Sequence, residues 1–427
     1  MSRLSGSTRM FSALHNPRYR RYWLGNLAAV SGQQMLFVAQ GWLVYDLTQS
    51  PLALGYTGLV AAVPAITLNL LGGVMADRMD PRRVIMATQT GTALLIAGLA
   101  TLTALGVVEV WHVLVVAFFS GALQAFNNPA RQSIFPQLIE RKDLMNAVSL
   151  NSMIWQGSRV IAPAIGGIIV ATAGIAAAIY VCSLGAMAMV FACSGLQFQA
   201  VVREHKESVV KDLAAGLGYI RDNSLFAFLI GMSFFTSFFG QGPQNLMPIF
   251  ARDIFELGPS GLGFLLSTMG VGSFLGILVI GYLGDYERKG LLIVGGATAL
   301  GASLILFSIS SFLPLALVTL FCCGLFHQIF QVSLQSTLQL RVPDELRGRV
   351  MGVYGMTHQV GPLGAFQAGA LADFLGAPAT VAIGGAALIA FALGVGSTSG
   401  QVRGLQATPL PTGAAPDASP VPAGRAH

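Results

Sequence analysis

Charged residues are scarce in this 427-residue chain, at 10% of the total. A soluble domain carries about a quarter to keep its surface wet, so a cytosolic globular protein is excluded. Cysteine is scarce too. Cys182, Cys193, Cys322 and Cys323 all fall inside hydrophobic stretches, without metal-ligand spacing or a framework of pairs, and read as small apolar side chains. No Gly-Lys-Ser/Thr phosphate loop and no His-Glu-x-x-His helix occurs, which excludes ATP-driven work and metalloprotease chemistry by this chain; no cofactor is implied. No Asp or Glu lies deep in an apolar run, since Asp46, Glu109, Asp253, Glu256 and Asp373 all stand near ends. The 24 Lys and Arg exceed the 18 Asp and Glu, but no basic helix gathers them, so nucleic acid is not an expected partner.

What is abundant is apolar sequence: 54% of residues are hydrophobic and the mean hydropathy is +0.68. Each crossing of a bilayer consumes roughly 20 apolar residues, so a chain of this composition supports about twelve. Apolar runs bounded by charged or turn-forming residues lie near 22–45, 52–75, 84–105, 110–130, 147–172 and 174–196. A second set follows near 225–250, 259–283, 290–311, 312–338, 350–373 and 377–397. The basic N-terminal segment 1–21 leads into a first run too long for a signal-peptide core, which should remain as the first span. The segment 197–224 is the long charged connection and reads as a linker between a bundle over 22–196 and another over 225–397. The Pro-, Ala- and Gly-rich tail 398–427 reads as disordered.

With both termini in the cytoplasm, all but Arg159 and Arg252 of the 24 cations fall in cytoplasmic segments, as the positive-inside rule requires. One missed helix would invert every later loop and spoil this bias. The two sets also resemble each other: a shift of 208 residues superposes Gly32-Gln33 on Gly240-Gln241, Pro51 on Pro259, Gly55 on Gly263, Gly73 on Gly281 and Asp77 on Asp285. A parallel repeat of this kind places a substrate site between halves near the bilayer midplane. The expected fold is therefore all-α and integral to the membrane, with twelve transmembrane helices in two six-helix pseudo-repeats.

The loop after the second span runs from Gly73 through Asp77, Arg78 and Asp80 to Arg82 and Arg83. Its partner after the eighth runs from Gly281 through Asp285 to Arg288 and Lys289. Both resemble the signature loop of the major facilitator superfamily, over essentially residues 18–397. Asp80 stands where that family usually has glycine. Gly73 would let two helices approach closely, Asp77 would accept hydrogen bonds at a helix N-terminus, and the cations would hold one side shut in one state. The competing reading is a solvated charge run that only sets topology. The stretch Tyr45 to Gly55, the stretch Asn128 to Pro136 and the loop Val342 to Val350 are similar to the branch of exporters for siderophores and drugs. In the fifth span, Ala162, Pro163, Gly166 and Gly167 are similar to an antiporter motif; a Pro-kinked helix with small residues for packing competes with it.

The resemblance implies that spans one, four, seven and ten line a cavity. Each has a polar face there: Asn26, Gln33 and Gln40; Gln124 and Asn127; Gln241, Gln244 and Asn245; His327 and Gln331. For any single amide, interhelical hydrogen bonding competes, but four helices together favour a wet, uncharged pocket. Arg159, near the middle of the fifth span, would either attract an anionic substrate or brace helix carbonyls. His327 and His358 are candidate proton carriers, with packing histidines as the alternative. The implied function is secondary active export of an amphipathic small molecule, siderophore or drug-like, by a monomer coupled to proton entry across the bacterial plasma membrane. A nutrient importer and a transport-inactive membrane sensor or scaffold remain open, and no enzymatic activity is expected.

Overall fold

The computed structural model describes residues 12–134, 137–140, 143–196, 209–284 and 288–398. The tail and much of the linker therefore lie outside the described residues. Long helices dominate, starting where local chemistry lets a helix start. Asn16, Ser50, Asp80 and Asn223 each accept a backbone N–H of the turn that follows, and proline occupies the first helical turn of Pro17–Thr48, Pro51–Arg78, Pro81–Ala104 and Pro259–Leu283. Gly174 and Gly376, at φ 89° and 83°, make one-residue turns from the fifth span to the sixth and from the eleventh to the twelfth, a backbone that a side chain would strain.

Among the described residues, ten helical stretches are long and apolar enough to cross a bilayer. Two more complete the expected twelve. The first, Pro17–Thr48, is 32 residues long but diluted by its amides. The eleventh is divided into Asp344–His358 and Gly361–Leu375, beginning six residues before the 350 expected. Pro362 has no N–H to give the carbonyl of His358, so the helix breaks there. The seventh span is likewise three pieces, Ser224–Phe239, Gly242–Ile249 and a π turn over Phe250–Ile254, with Pro243 and Pro248 at the interruptions. The linker also differs from a plain connection: Val209–Asp222 is helical and rests on the eleventh span, where a methyl added to Gly216 would lie 2.9 Å from the Arg349 carbonyl oxygen.

The first six spans pack chiefly among themselves: first on fifth and sixth, second on fourth, third on fourth and sixth. In the last six, the eighth packs on the tenth, the ninth on the tenth and twelfth, and the seventh on the eleventh and twelfth. Two seams join these groups, fifth against eighth and second against eleventh. This is the major facilitator fold. We call the end of the bundle where the first span begins the near end, and the opposite one the far end.

Candidate functional site

The seams close at the far end because glycines let backbones touch. A Cβ on Gly263 would sit 2.4 Å from the Pro163 carbonyl oxygen, and one on Gly167 2.5 Å from that of Pro259. Across the other seam, a Cβ on Gly369 would sit 2.7 Å from the Pro51 oxygen and one on Gly55 3.0 Å from Phe366 Cα. Side chains latch the same end. Tyr45 donates to Asp253, Arg252 pairs with Asp46 at 2.9 Å, and Ser50 donates to Asp373 at 3.3 Å. The Asp46 and Arg252 side chains are 48% and 33% exposed, so their pair contributes only about 0.2–1 kcal/mol. Arg252→Ala should therefore loosen the far end by no more than about fivefold. The labelling rate of a cysteine at Gln40 measures this, and a much larger rise would mean the latch outweighs the helix seams.

At the near end the two signature-loop glycines make no such approach. A Cβ on Gly73 or Gly281 would meet nothing within 4 Å. Close approach in the second span belongs instead to its neighbour Gly72, where a Cβ would lie 2.1 Å from the Ala125 oxygen of the fourth span. The carboxylate at a helix N-terminus is Asp80, which accepts from Arg82 N at 2.9 Å; Asp77 and Arg78 end the second span, and their side chains lie outside the described residues. Asp285 lies outside them as well. Arg83 approaches Asp80 at 3.9 Å, and Arg82 donates to the Ser194 carbonyl at the end of the sixth span, within its own group of helices. Arg288 is exposed beside the half-buried Lys289 that opens the ninth span.

Between the ends is a crevice, and the expected amides divide over it. Under the far-end closure, a small cavity of about 50 Å³ is lined by Gln40, Thr57, Gln244 and Asn245 with Phe37, Leu54, Pro248, Leu262 and Leu266 among its walls. Gln33 is exposed, and Gln124, Gln241, His327, Gln331 and His358 are half-buried. Asn26 and Asn127 are held elsewhere. Asn26, 2% exposed, donates to Asn151 at 3.1 Å and accepts from Arg131, while Asn127, 4% exposed, donates to Thr88 at 2.7 Å. The stripe of sevens on the first span thus runs from a helix seam into the crevice, because the near half of that span is enclosed by the fourth and fifth. Arg131 went unnoticed in the sequence as a partner, since only the fold brings it to Asn26.

The small residues of the fifth span pack on two neighbours. Gly166 meets Met35 of the first span, and Pro163 and Gly167 meet the eighth; the N–H of Ala164 donates to Ser267 at 3.0 Å. Pro163 leaves the Arg159 carbonyl without its helical donor. Gly270 presses against that oxygen, where a Cβ would stand 2.5 Å away.

A helical bundle in two repeats, closed at one end around a polar crevice, defines a multi-pass membrane transporter of the major facilitator type. The chain belongs to the family described as transmembrane secretion effector, whose model matches residues 8–407. It is 27% identical over 369 residues to the multidrug efflux pump Tap of Mycolicibacterium fortuitum, covering 83% of this chain and 89% of that protein. It is 25% identical to the enterobactin exporter EntS of Escherichia coli, covering 88% and 90%, and 23% identical to macrolide efflux protein A of Streptococcus pyogenes, covering 88% and 94%. Among solved structures, the nucleoside transporter NupG superposes with a TM-score of 0.71 at 14% identity, covering 89% of this chain and 98% of that one. A bacterial homologue of the lysosomal transporter Spinster, inward-facing and occupied, gives 0.71 at 12%, covering 90% and 97%.

Proposed function

We propose that the chain is a secondary active exporter that carries an amphipathic small molecule, siderophore or drug-like, out of a bacterial cell by alternating access coupled to proton entry. The observation that carries this reading is the asymmetry of the crevice. The far end is shut by glycine seams and a polar latch, while Gly73 and Gly281 at the near end stand clear of their neighbours. One conformation of a two-state gate has this form. The near end, which holds nearly all the cations, is the cytoplasmic face in this proposal, and the boundary between halves falls in 197–224. Three efflux proteins among the relatives support the outward direction.

Asp77, Arg78, Arg82, Arg83, Asp285, Arg288 and Lys289 would form the cytoplasmic gate when the far end opens, and Gln33, Gln40, Gln124, Gln241, Gln244, Asn245 and Gln331 would meet the substrate in the crevice. His327 and His358 are the titratable groups within the crevice available to carry a proton. Cells expressing the chain should extrude ethidium or a catecholate siderophore, and extrusion should fall on adding an uncoupler. Unchanged efflux would remove the proton from the account, and accumulation in the cell would reverse the direction. Asp77→Asn at normal expression should lower the flux severalfold, whereas a scaffold would be indifferent.

A further inference from the structure

The crevice contains a cation with no counter-ion. Arg159 is exposed, and among the described residues it makes no hydrogen bond and no ion pair. A charge at this depth is tolerated only where it faces protein interior or water, and its direction can be read from the neighbours of its helix. At 3.6 residues per turn, Arg159 falls between the edge that meets the first span, through Ser158 to Ser31 at 3.0 Å and Gly166 to Met35, and the edge that meets the eighth, through Pro163 and Gly167. It lies roughly opposite Ile161, Ile165 and Ile168, which are 58%, 44% and 45% exposed on the outer face. Arg159 therefore projects into the crevice and not into lipid.

The same construction on the tenth span turns His327 away from lipid. His327 falls between the edge that meets the eighth span, at Gly324 and Gln328, and the edge that meets the ninth, at Phe326 and Phe330; Val318, 59% exposed, is on the far side. His327 stands within the electrostatic reach of both Arg159 and His358. One turn along, Gln331 keeps its Oε1 buried without a hydrogen-bond partner. Gln244 reaches the same layer from the seventh span, donating to the Met269 sulfur at 3.5 Å, next to the Gly270 that pins the Arg159 backbone. Arg159 and His358 also occupy matching places, each four residues before a proline, Pro163 inside the unbroken fifth span and Pro362 at the break in the eleventh. The crevice is thus lined by one permanent cation, two imidazoles and amides, with no carboxylate among its described lining residues.

We infer that Arg159, with His327 and the amides of Gln244 and Gln331 beside it, forms a subsite for an anionic group, so that the transported molecule carries a carboxylate or another acidic oxygen pair on an apolar frame. A planar guanidinium suits this role, because it offers two parallel N–H donors to two oxygens. The inference rests on the transporter reading above and adds the sign of the substrate's charge. It explains the lone cation in a crevice otherwise built of neutral groups: the counter-ion is the cargo.

One ring in three charge states tests it. Purified full-length protein in detergent would be titrated calorimetrically with 1-naphthoate, 1-naphthylmethanol and 1-naphthylmethylamine. The anion is expected to bind roughly tenfold or more tightly than the other two. Arg159→Gln should erase that preference, and Arg159→Lys, which keeps the charge but not the fork, should keep part of it. Equal binding of the three, binding of none, or a preference that survives Arg159→Gln would overturn the subsite; the wild-type charge series decides the matter even if a variant does not fold. Failure here is separable from failure of the exporter reading: uncoupler-sensitive extrusion of ethidium from cells, found together with no preference in the charge series, would leave the exporter reading standing and remove the anion subsite.

Discussion

Leucine in place of Gly263 is expected to abolish most transport while leaving a folded, membrane-inserted protein. The added Cβ would stand 2.4 Å from the Pro163 oxygen and 3.1 Å from Ala164 Cα, both backbone atoms that cannot swing aside. The eighth span holds the tenth through other glycines: Gly272 and Gly276 face Phe321 and Leu325, so its own half of the bundle is undisturbed. Overpacking of this kind costs about 1–3 kcal/mol, and here the cost falls only on states in which the far end is shut. Relative to open states, that is a shift on the order of 10- to 100-fold. A cysteine at Gln40, in the cavity under the closure, should then react much faster with a thiol reagent added from the far side, while efflux falls by a similar factor. Normal efflux with unchanged labelling would mean the seam is not a gate. Gly55→Leu, at the equivalent place on the other seam, should act in the same direction, more gently because its nearest neighbour would be 3.0 Å away.

The second large effect concerns stability. Asn26 accepts from Arg131 of the fourth span and donates to Asn151 of the fifth, so one amide ties three helices. The Arg131 Nε is buried and already without a hydrogen-bond partner. Asn26→Leu would remove an acceptor that the guanidinium still has. Stranding a buried charge costs about 3 kcal/mol or more, which in detergent should appear as a fall of several degrees in the unfolding midpoint. Asn26→Asp keeps an acceptor and adds a countercharge, so it should hold the midpoint near the wild-type value. Should the leucine variant melt like the wild type, the network carries no stability. Substrate binding would be the only remaining reason for an amide there.

The polar stripe on the first span shows how far residues predict a site. Spacing by sevens places Asn26, Gln33 and Gln40 on one face, yet that face meets different surroundings along its length: Asn26 is 2% exposed in a seam, Gln33 is exposed, and Gln40 lines the cavity. Periodicity reports the face and not what lies opposite. The signature loop teaches the same lesson over shorter range. Its glycines stood out as a pair, but it is Gly72 and not Gly73 that the fourth span touches, since one residue turns a helix by about 100°. The far-end latch was visible only as scattered charges near span ends. Asp46 and Arg252 are 206 residues apart, and no local pattern announces such a pair.

Composition, the length of the apolar runs, the bias of the cations and the 208-residue repeat determined on their own that this is an all-helical membrane protein built of two similar halves; the two signature-like loops added the resemblance to the major facilitator superfamily. Those properties follow from solvation of each segment taken singly, and a bilayer imposes the same terms on every helix. Tertiary structure alone decided which glycines form seams, that Gln40, Gln244 and Asn245 line one cavity while Asn26 and Asn127 are tied up elsewhere, and that the seventh and eleventh spans are broken. Each of these depends on the distance between residues far apart in sequence, and that distance is set by how the two groups of helices lean on one another.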